Sequence, residues 1–248
     1  MHALVLASPA SLLCAGTGGD AQALADLITV PHPTGASANV PDLQAETAMA
    51  LANRALHAPG QVNHCYIAWS VPTLKHAQAA ALAVTAELMT HQLLHQAIRE
   101  QGGAYGGSAS YAGDAGIFGM SSYRDPRMAA TYADFASTID RVLDTDFSTE
   151  QIEEAIICVI KALDRPGSPY DNVLSAWNLR RRGVDAAARQ RFRTGVLNCT
   201  QEEIKAAVRQ WLKEGKPSRA AFAGNTEQDL AGLEVVDLLA LSKEVAAE

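Results

Sequence analysis

The chain has 248 residues, a formal net charge of −7, 48% hydrophobic side chains and 19% charged ones. That balance is globular rather than disordered, and the length is enough to bury a sizeable core. The acidic excess leaves no surplus of Lys or Arg to neutralise phosphates, which argues against a nucleic-acid partner. No stretch approaches the roughly 20 uninterrupted apolar residues of a membrane-spanning helix, so no membrane partner is expected.

In chain order, Leu4 to Ala7 reads as a strand and Asp20 to Leu27 as a short helix. Thr29 to Pro41 is rich in Pro, Gly, Ser and Asn and reads as loop. The first Lys or Arg is Arg54, so the basic start of a secretory signal is missing and a cytoplasmic location is expected. A chain that opens directly inside a strand looks like a piece of something longer. Val62 to Val71 alternates as a strand does, and Pro72 ends it. Ala77 to Glu100 carries apolar residues at helical spacing and predicts a long buried helix, stopped by Gly102-Gly103.

Ala104 to Tyr111 and Gly116 to Arg124 predict an antiparallel hairpin around Ala112-Gly113-Asp114-Ala115. Asp125-Pro126 reads as a cap with proline at the first helical position, opening a helix to about Leu143. Ser148-Thr149-Glu150-Gln151 is a capping-box pattern for a helix to about Leu163, and Ser168-Pro169 opens another, ending at Gly183. Ala186 to Val196 and Gln201 to Glu214 follow as helices, the latter capped by Thr200 and Glu203. Arg219 to Ala223 is a strand, after which the chain turns polar and helical. The expectation is α+β: an antiparallel-rich sheet with helices packed on one face, residues 1–248 forming a single domain.

The four cysteines, Cys14, Cys65, Cys158 and Cys199, form no CxxC pair and read as reduced, mostly buried thiols. Among seven histidines, His91 and His95 share a helix face, but Gln92-Leu93-Leu94 between them lacks the Glu that would activate a zinc-bound water. No metal site and no cofactor is therefore expected in this chain. The glycines from Gly102 to Gly119 follow a helix and precede a strand, the reverse of a phosphate loop. Glycine in a strand instead marks close approach of another backbone, such as an extended peptide at a sheet edge. Arg99 at the end of the long helix and Tyr105 at the start of the strand stand out within this stretch. Both also have ordinary roles there, the one in the helix dipole and the other in ring packing.

The runs Ile98-Arg99-Glu100-Gln101-Gly102-Gly103-Ala104-Tyr105-Gly106-Gly107 and Ser121-Ser122-Tyr123-Arg124-Asp125-Pro126 strongly resemble the pitrilysin-type (inverzincin) zinc metallopeptidases, in the presequence protease and falcilysin group. Val62-Asn63-His64-Cys65-Tyr66 is similar to that group's strand ahead of the long helix. Arg189 to Thr200 is similar to its final helical region.

The resemblance implies a chain of homologous α+β domains in two halves that clasp around a closed chamber. The N-terminal half carries H-x-x-E-H with its zinc; the C-terminal half has lost the motif. H-x-x-E-H occurs nowhere here, so the sequence resembles the non-zinc-binding C-terminal domain. Its implied partners are the N-terminal catalytic half of the same enzyme, or a separate catalytic subunit, and an unfolded peptide substrate. Arg99 and Tyr105 match the Arg and Tyr by which the family's C-terminal half reaches the substrate carbonyl, where donors stabilise a developing oxyanion. Gly103, Ala104, Gly106 and Gly107 match the peptide-binding strand. Two rivals stand beside this reading: a stand-alone pseudo-peptidase subunit, structural or regulatory, and a peptide-binding module that never meets a metal.

Overall fold

The computed structural model describes residues 18–27, 53–224 and 229–240, and the chain falls into two compact units. One unit comprises 1–50 and 166–183, the other 51–165 and 184–248. The predicted strand at Leu4 to Ala7 and the loop at Thr29 to Pro41 lie outside the described residues.

The first unit contributes α1 (Gly18–Leu27) and a second helix, α5 in chain order (Pro169–Arg181). The start of α5 is a capping box: Ser168 Oγ accepts from Asp171 N at 3.1 Å, and Asp171 Oδ2 accepts from Ser168 N at 3.3 Å. Pro169 sits in the first turn, where its missing N–H costs nothing. The helix ends at Arg181, ahead of Gly183 in the left-handed conformation (φ 72°).

The second unit is a six-stranded sheet with a helical layer. Its strands are β1 (Arg54–His57), β2 (His64–Ser70), β3 (Gly106–Ala112), β4 (Ile117–Tyr123), β5 (Ser218–Ala223) and β6 (Glu234–Asp237). They lie in the order β3-β4-β2-β5-β1-β6, which puts β3 at one edge. The pairs β3–β4, β4–β2 and β2–β5 are antiparallel, while β1 runs parallel to both β5 and β6. The antiparallel-rich sheet is thus present, with two strands that the sequence does not reveal. Both β1 and β6 are four residues long and take their hydrogen bonds from neighbours distant in sequence. They are too short to show alternation, and β6 interrupts the expected polar, helical continuation after Ala223.

The long helix begins as α2 (Ala79–Met89), buried on nearly every side, as its Ala- and Leu-rich sequence requires. From Thr90 it continues as a wider-wound π-helical segment, π1 (Thr90–Gln101). Thr90 Oγ1 donates to Ala86 O at 2.8 Å and accepts from Ala109 N at 2.9 Å, tying the helix to β3. Beyond the hairpin come α3 (Ala129–Asp144), α4 (Thr149–Leu163), α6 (Ala186–Leu197) and α7 (Gln201–Ala207), the last continued by π2 (Val208–Lys213). The predicted caps at Ser148 and Thr200 are both complete capping boxes.

The core lies between this layer and one sheet face. Ile67, Trp69, Phe118 and Met120 of the sheet meet Leu82, Met89, Leu94 and Ile98 of the long helix and Phe135 of α3, all buried. Tyr132 Oη donates to Ala220 O at 2.8 Å, fastening α3 to β5.

The expected cap at Asp125 is not one. The helix starts at Ala129, and Asp125 still belongs to the sheet: Asn63 N donates to Asp125 O at 2.7 Å and Asp125 N to Asn63 O at 2.8 Å. With its backbone held there, the buried carboxylate accepts instead from Arg127 N at 2.9 Å and from Thr131 Oγ1 at 2.7 Å. Arg124, at φ 51°, makes the left-handed turn between β4 and this bridge.

Candidate functional site

Arg99 and Tyr105 stand on either side of the turn that joins π1 to β3. Gly103 takes φ 78°, a left-handed value natural for glycine. Its N–H donates to Arg99 O at 3.1 Å, and Ala104 N donates to Ile98 O at 3.1 Å, closing the helix in the manner of a Schellman turn. Ala104 is buried and Tyr105 N donates to Tyr123 O at 3.1 Å, so the backbone is fixed on both sides of the turn. The two side chains nevertheless point out: Arg99 is exposed, and Tyr105 is 71% exposed.

Each is held by a neighbour. Arg99 Nη1 lies 3.4 Å from His95 Nε2, and His95 Nδ1 lies 3.4 Å from Glu100 Oε1. A guanidinium only donates, so Nε2 is the acceptor and Nδ1–H faces the carboxylate. His91, on the same helix face as His95, turns to Glu87, 3.5 Å away. Tyr105 packs edge-on against Tyr123 with centroids 5.9 Å apart, Tyr123 against His64 at 5.0 Å, and His64 against Phe222 at 6.1 Å. This aromatic row crosses the sheet from β3 towards β5. It is invisible in the sequence because its members come from four separate segments.

The row lies on the sheet face turned away from the helical layer. Register places Tyr66 opposite Ser121 and Ala220, His64 opposite Phe222, and Gly106 opposite Tyr123. Tyr66, Tyr123, Phe222 and Leu56 on this face are all exposed. Gly119 makes room for Tyr66: a Cβ there would lie 2.3 Å from the phenol oxygen. At the edge, Gly106 has nothing within 4 Å of a would-be Cβ, so its outer surface is open backbone. Gly107 faces inward, where a Cβ would meet Ile98 at 2.6 Å. Gly103 is exposed, whereas Ala104 and Gly107 offer a ligand little besides backbone.

A model of the peptidase M16 inactive domain matches residues 29–157. This chain belongs to that family. Among the inactive domain's relatives, the mitochondrial presequence protease of Xenopus laevis is 34% identical over 157 residues, which cover 63% of this chain and 15% of that protein. The M16 inactive domain described here thus spans a small part of the relative's length. The solved M16 inactive domain from Pseudomonas fluorescens superposes with a TM-score of 0.57 at 16% identity, over 71% of this chain and 45% of that one. Pitrilysin superposes with a TM-score of 0.52 at 13% identity, over 78% and 22%. At such identities the structural likeness speaks for the fold.

The family's peptidases use zinc, and the residues around Arg99 and Tyr105 do not fit it: among the described residues no third ligand converges on His95 and Glu100. The H-x-x-E-H signature is nowhere in the 248 residues, and Arg99 and Tyr105 are hydrogen-bond donors rather than metal ligands. Among the described residues no helix is long and apolar enough to cross a membrane.

Proposed function

We propose that residues 1–248 serve as the non-catalytic C-terminal domain of a zinc metalloendopeptidase, closing the chamber around an unfolded peptide and presenting Arg99 and Tyr105 to its scissile carbonyl. The observation that carries this reading is the turn itself. Its backbone is hydrogen-bonded on both sides of Gly103, while the two donor side chains it bears are left in solvent. Nothing in the packing of the core requires an exposed phenol at Tyr105.

The chemistry follows from the donors. Attack on an amide carbonyl moves negative charge onto oxygen. A guanidinium is charged at all working pH values, and the O–H of a phenol adds a second, neutral donor; both are strongest when aimed where that charge develops. The edge strand β3 supplies the positioning. Thr90 takes up the N–H and carbonyl of Ala109, so a peptide pairs with the start of the strand ahead of it, where the bare Gly106 lets the two backbones approach. The aromatic row and the small residues of the open face then form one wall of the space in which the peptide lies. The catalytic half, with its metal, is the partner that the reading requires.

The test is kinetic and uses the complete protein, with this chain joined to the half bearing H-x-x-E-H. Arg99→Ala and Tyr105→Phe should each lower kcat/KM by about 100- to 1,000-fold, the usual effect of removing one oxyanion donor. Unchanged kcat/KM in both variants would overturn the assignment. Weaker peptide capture with an unchanged chemical step would instead make the domain a peptide-binding module.

A further inference from the structure

We propose that Glu87, His91 and Cys158 form a binding site for a divalent cation of the zinc type, between the long helix and α4. One ligand atom from each lies within 4.8 Å of the other two, and among the described residues this is the one group in which three such ligands converge. Glu87 and His91 are one helical turn apart and share a face, so their side chains meet without strain. Cys158 reaches them from α4 across the helix interface.

The spacing suits a tetrahedral ion. With ligand distances of about 2.0–2.3 Å, neighbouring ligand atoms stand roughly 3.3–3.8 Å apart. Glu87 Oε2 and His91 Nε2, at 3.5 Å, already meet that spacing. The gap that remains to the partly buried thiol of Cys158 is small enough for side-chain rotation to close. The helices themselves are fastened. Gln151, the capping-box residue of α4, donates from Nε2 to Gln92 Oε1 at 2.9 Å, and Leu88 and Ala155 pack at this contact.

The ligand types select the metal class. A thiolate and an imidazole beside one carboxylate suit zinc, whereas magnesium and calcium want oxygen ligands throughout. Charge helps: Glu154 also lines the site and adds a second carboxylate, against which stands Lys161 one turn from Cys158. Three protein ligands leave a fourth position, and the site opens into a cavity of about 300 Å³ that holds Glu87, His91, Glu154 and Cys158 on its wall. A water or a small donor ligand fits that place. Sequence spacing does not show this group, because Cys158 lies far along the chain from Glu87 and His91 on another helix. The inference does not depend on the roles of Arg99 and Tyr105.

The experiment is a cobalt titration of the full chain after chelator treatment. The expected result is one ion per chain, with the charge-transfer absorption that only a cobalt–thiolate bond gives, and displacement of that signal by zinc. Cys158→Ser should abolish the band. His91→Ala and Glu87→Gln should weaken binding by at least roughly 10- to 100-fold, no less than loss of an outer-shell partner costs. His95→Ala should leave it intact. A measurement free of variants is alkylation of Cys158 followed by mass spectrometry, where stoichiometric zinc should protect the thiol. Absence of the thiolate band overturns the proposal, as does binding that survives Cys158→Ser but is lost in His95→Ala. An unprotected Cys158 in the presence of zinc overturns it as well.

Discussion

The guanidinium of Arg99 rests on the imidazole of His95, with 3.4 Å between Nη1 and Nε2, and Glu100 takes up the other ring nitrogen at 3.4 Å. Arg99 is a long side chain in solvent, and such chains have several rotamers to lose when they act. His95 removes some of that freedom in advance. On the role proposed for Arg99 it is a positioning residue, so its loss should cost less than loss of Arg99 itself. His95→Ala in the complete protein is expected to lower kcat by about tenfold, the scale of one arginine's rotamer entropy, while the melting temperature stays put. His95→Gln, which keeps an acceptor for Arg99, should recover most of it. An equal loss in both variants would mean that the ring does something other than accept from the guanidinium.

The neighbouring glycines Gly106 and Gly107 should behave in opposite ways. At Gly107 an added Cβ would stand 2.6–2.9 Å from three atoms of Ile98, a fully buried side chain of the long helix. Neither the helix nor the strand can move freely there, because Thr90 and Ala109 are hydrogen-bonded across the same contact. Overpacking of this kind costs about 1–3 kcal/mol. Gly107→Ala should therefore lower the urea midpoint clearly. Gly106→Ala meets nothing within 4 Å and should leave it unchanged, while weakening peptide binding if β3 is the receiving edge. A destabilised Gly106→Ala protein would contradict the open edge.

Asp125 should be among the costliest polar residues to remove. It is fully buried, and its carboxylate holds Arg127 N and Thr131 Oγ1 while Arg127 Nε lies 3.6 Å away. Asn63 completes the cluster by donating from Nδ2 to Asp125 O at 3.2 Å and accepting from Gly224 N at 3.1 Å. Asp125→Ala leaves the Arg127 N–H and the Thr131 hydroxyl without their acceptor, at about 1–3 kcal/mol for each buried group, while Asp134 Oδ2, 3.0 Å from Arg127 Nη1, still balances the guanidinium. Asp125→Asn keeps an oxygen and should cost visibly less. Denaturant melts of the two variants make the comparison.

What can be read from the sequence divides along physical lines. The capping boxes at Ser148, Ser168 and Thr200 are local, since the cap and its third residue form each other's bonds. The long helix and the β3–β4 hairpin are likewise set by periodicity and glycine. Asp125-Pro126 carries a local signal too, but a distant partner, Asn63, captures the backbone. Strands β1 and β6 have almost no signal of their own and exist because β5 and β1 offer hydrogen bonds. For the proposed site, Arg99 and Tyr105 stand out through their motif. Their supports are less so: Tyr123 and Phe222 reach Tyr105's row only through strand register, and helical spacing sets His95 four residues from both His91 and Arg99 without choosing between them.

Alkali should weaken this protein through its buried thiols and phenols. Burial pushes the Cys65 thiol up to about 11, with the Ser122 hydrogen bond opposing and the Asp125 charge adding to the rise. Burial likewise raises Cys199 to about 12, and it raises the phenols of Tyr111 and Tyr132. In the unfolded chain the thiols ionise near their ordinary value of 9.0. Above that pH the native state therefore holds more protons than the unfolded state, and stability must fall as pH rises. The contribution is whole below pH 9 and disappears through the native values of the thiols. For Cys65 alone the loss approaches about 3 kcal/mol, because each tenfold difference in proton affinity between the two states is worth about 1.4 kcal/mol. Urea melts at about pH 8 and about pH 10.5 should show the fall, and Cys65→Ala should flatten it. If the Cys65→Ala protein loses stability with pH as steeply as the parent, this thiol is not one of the groups responsible.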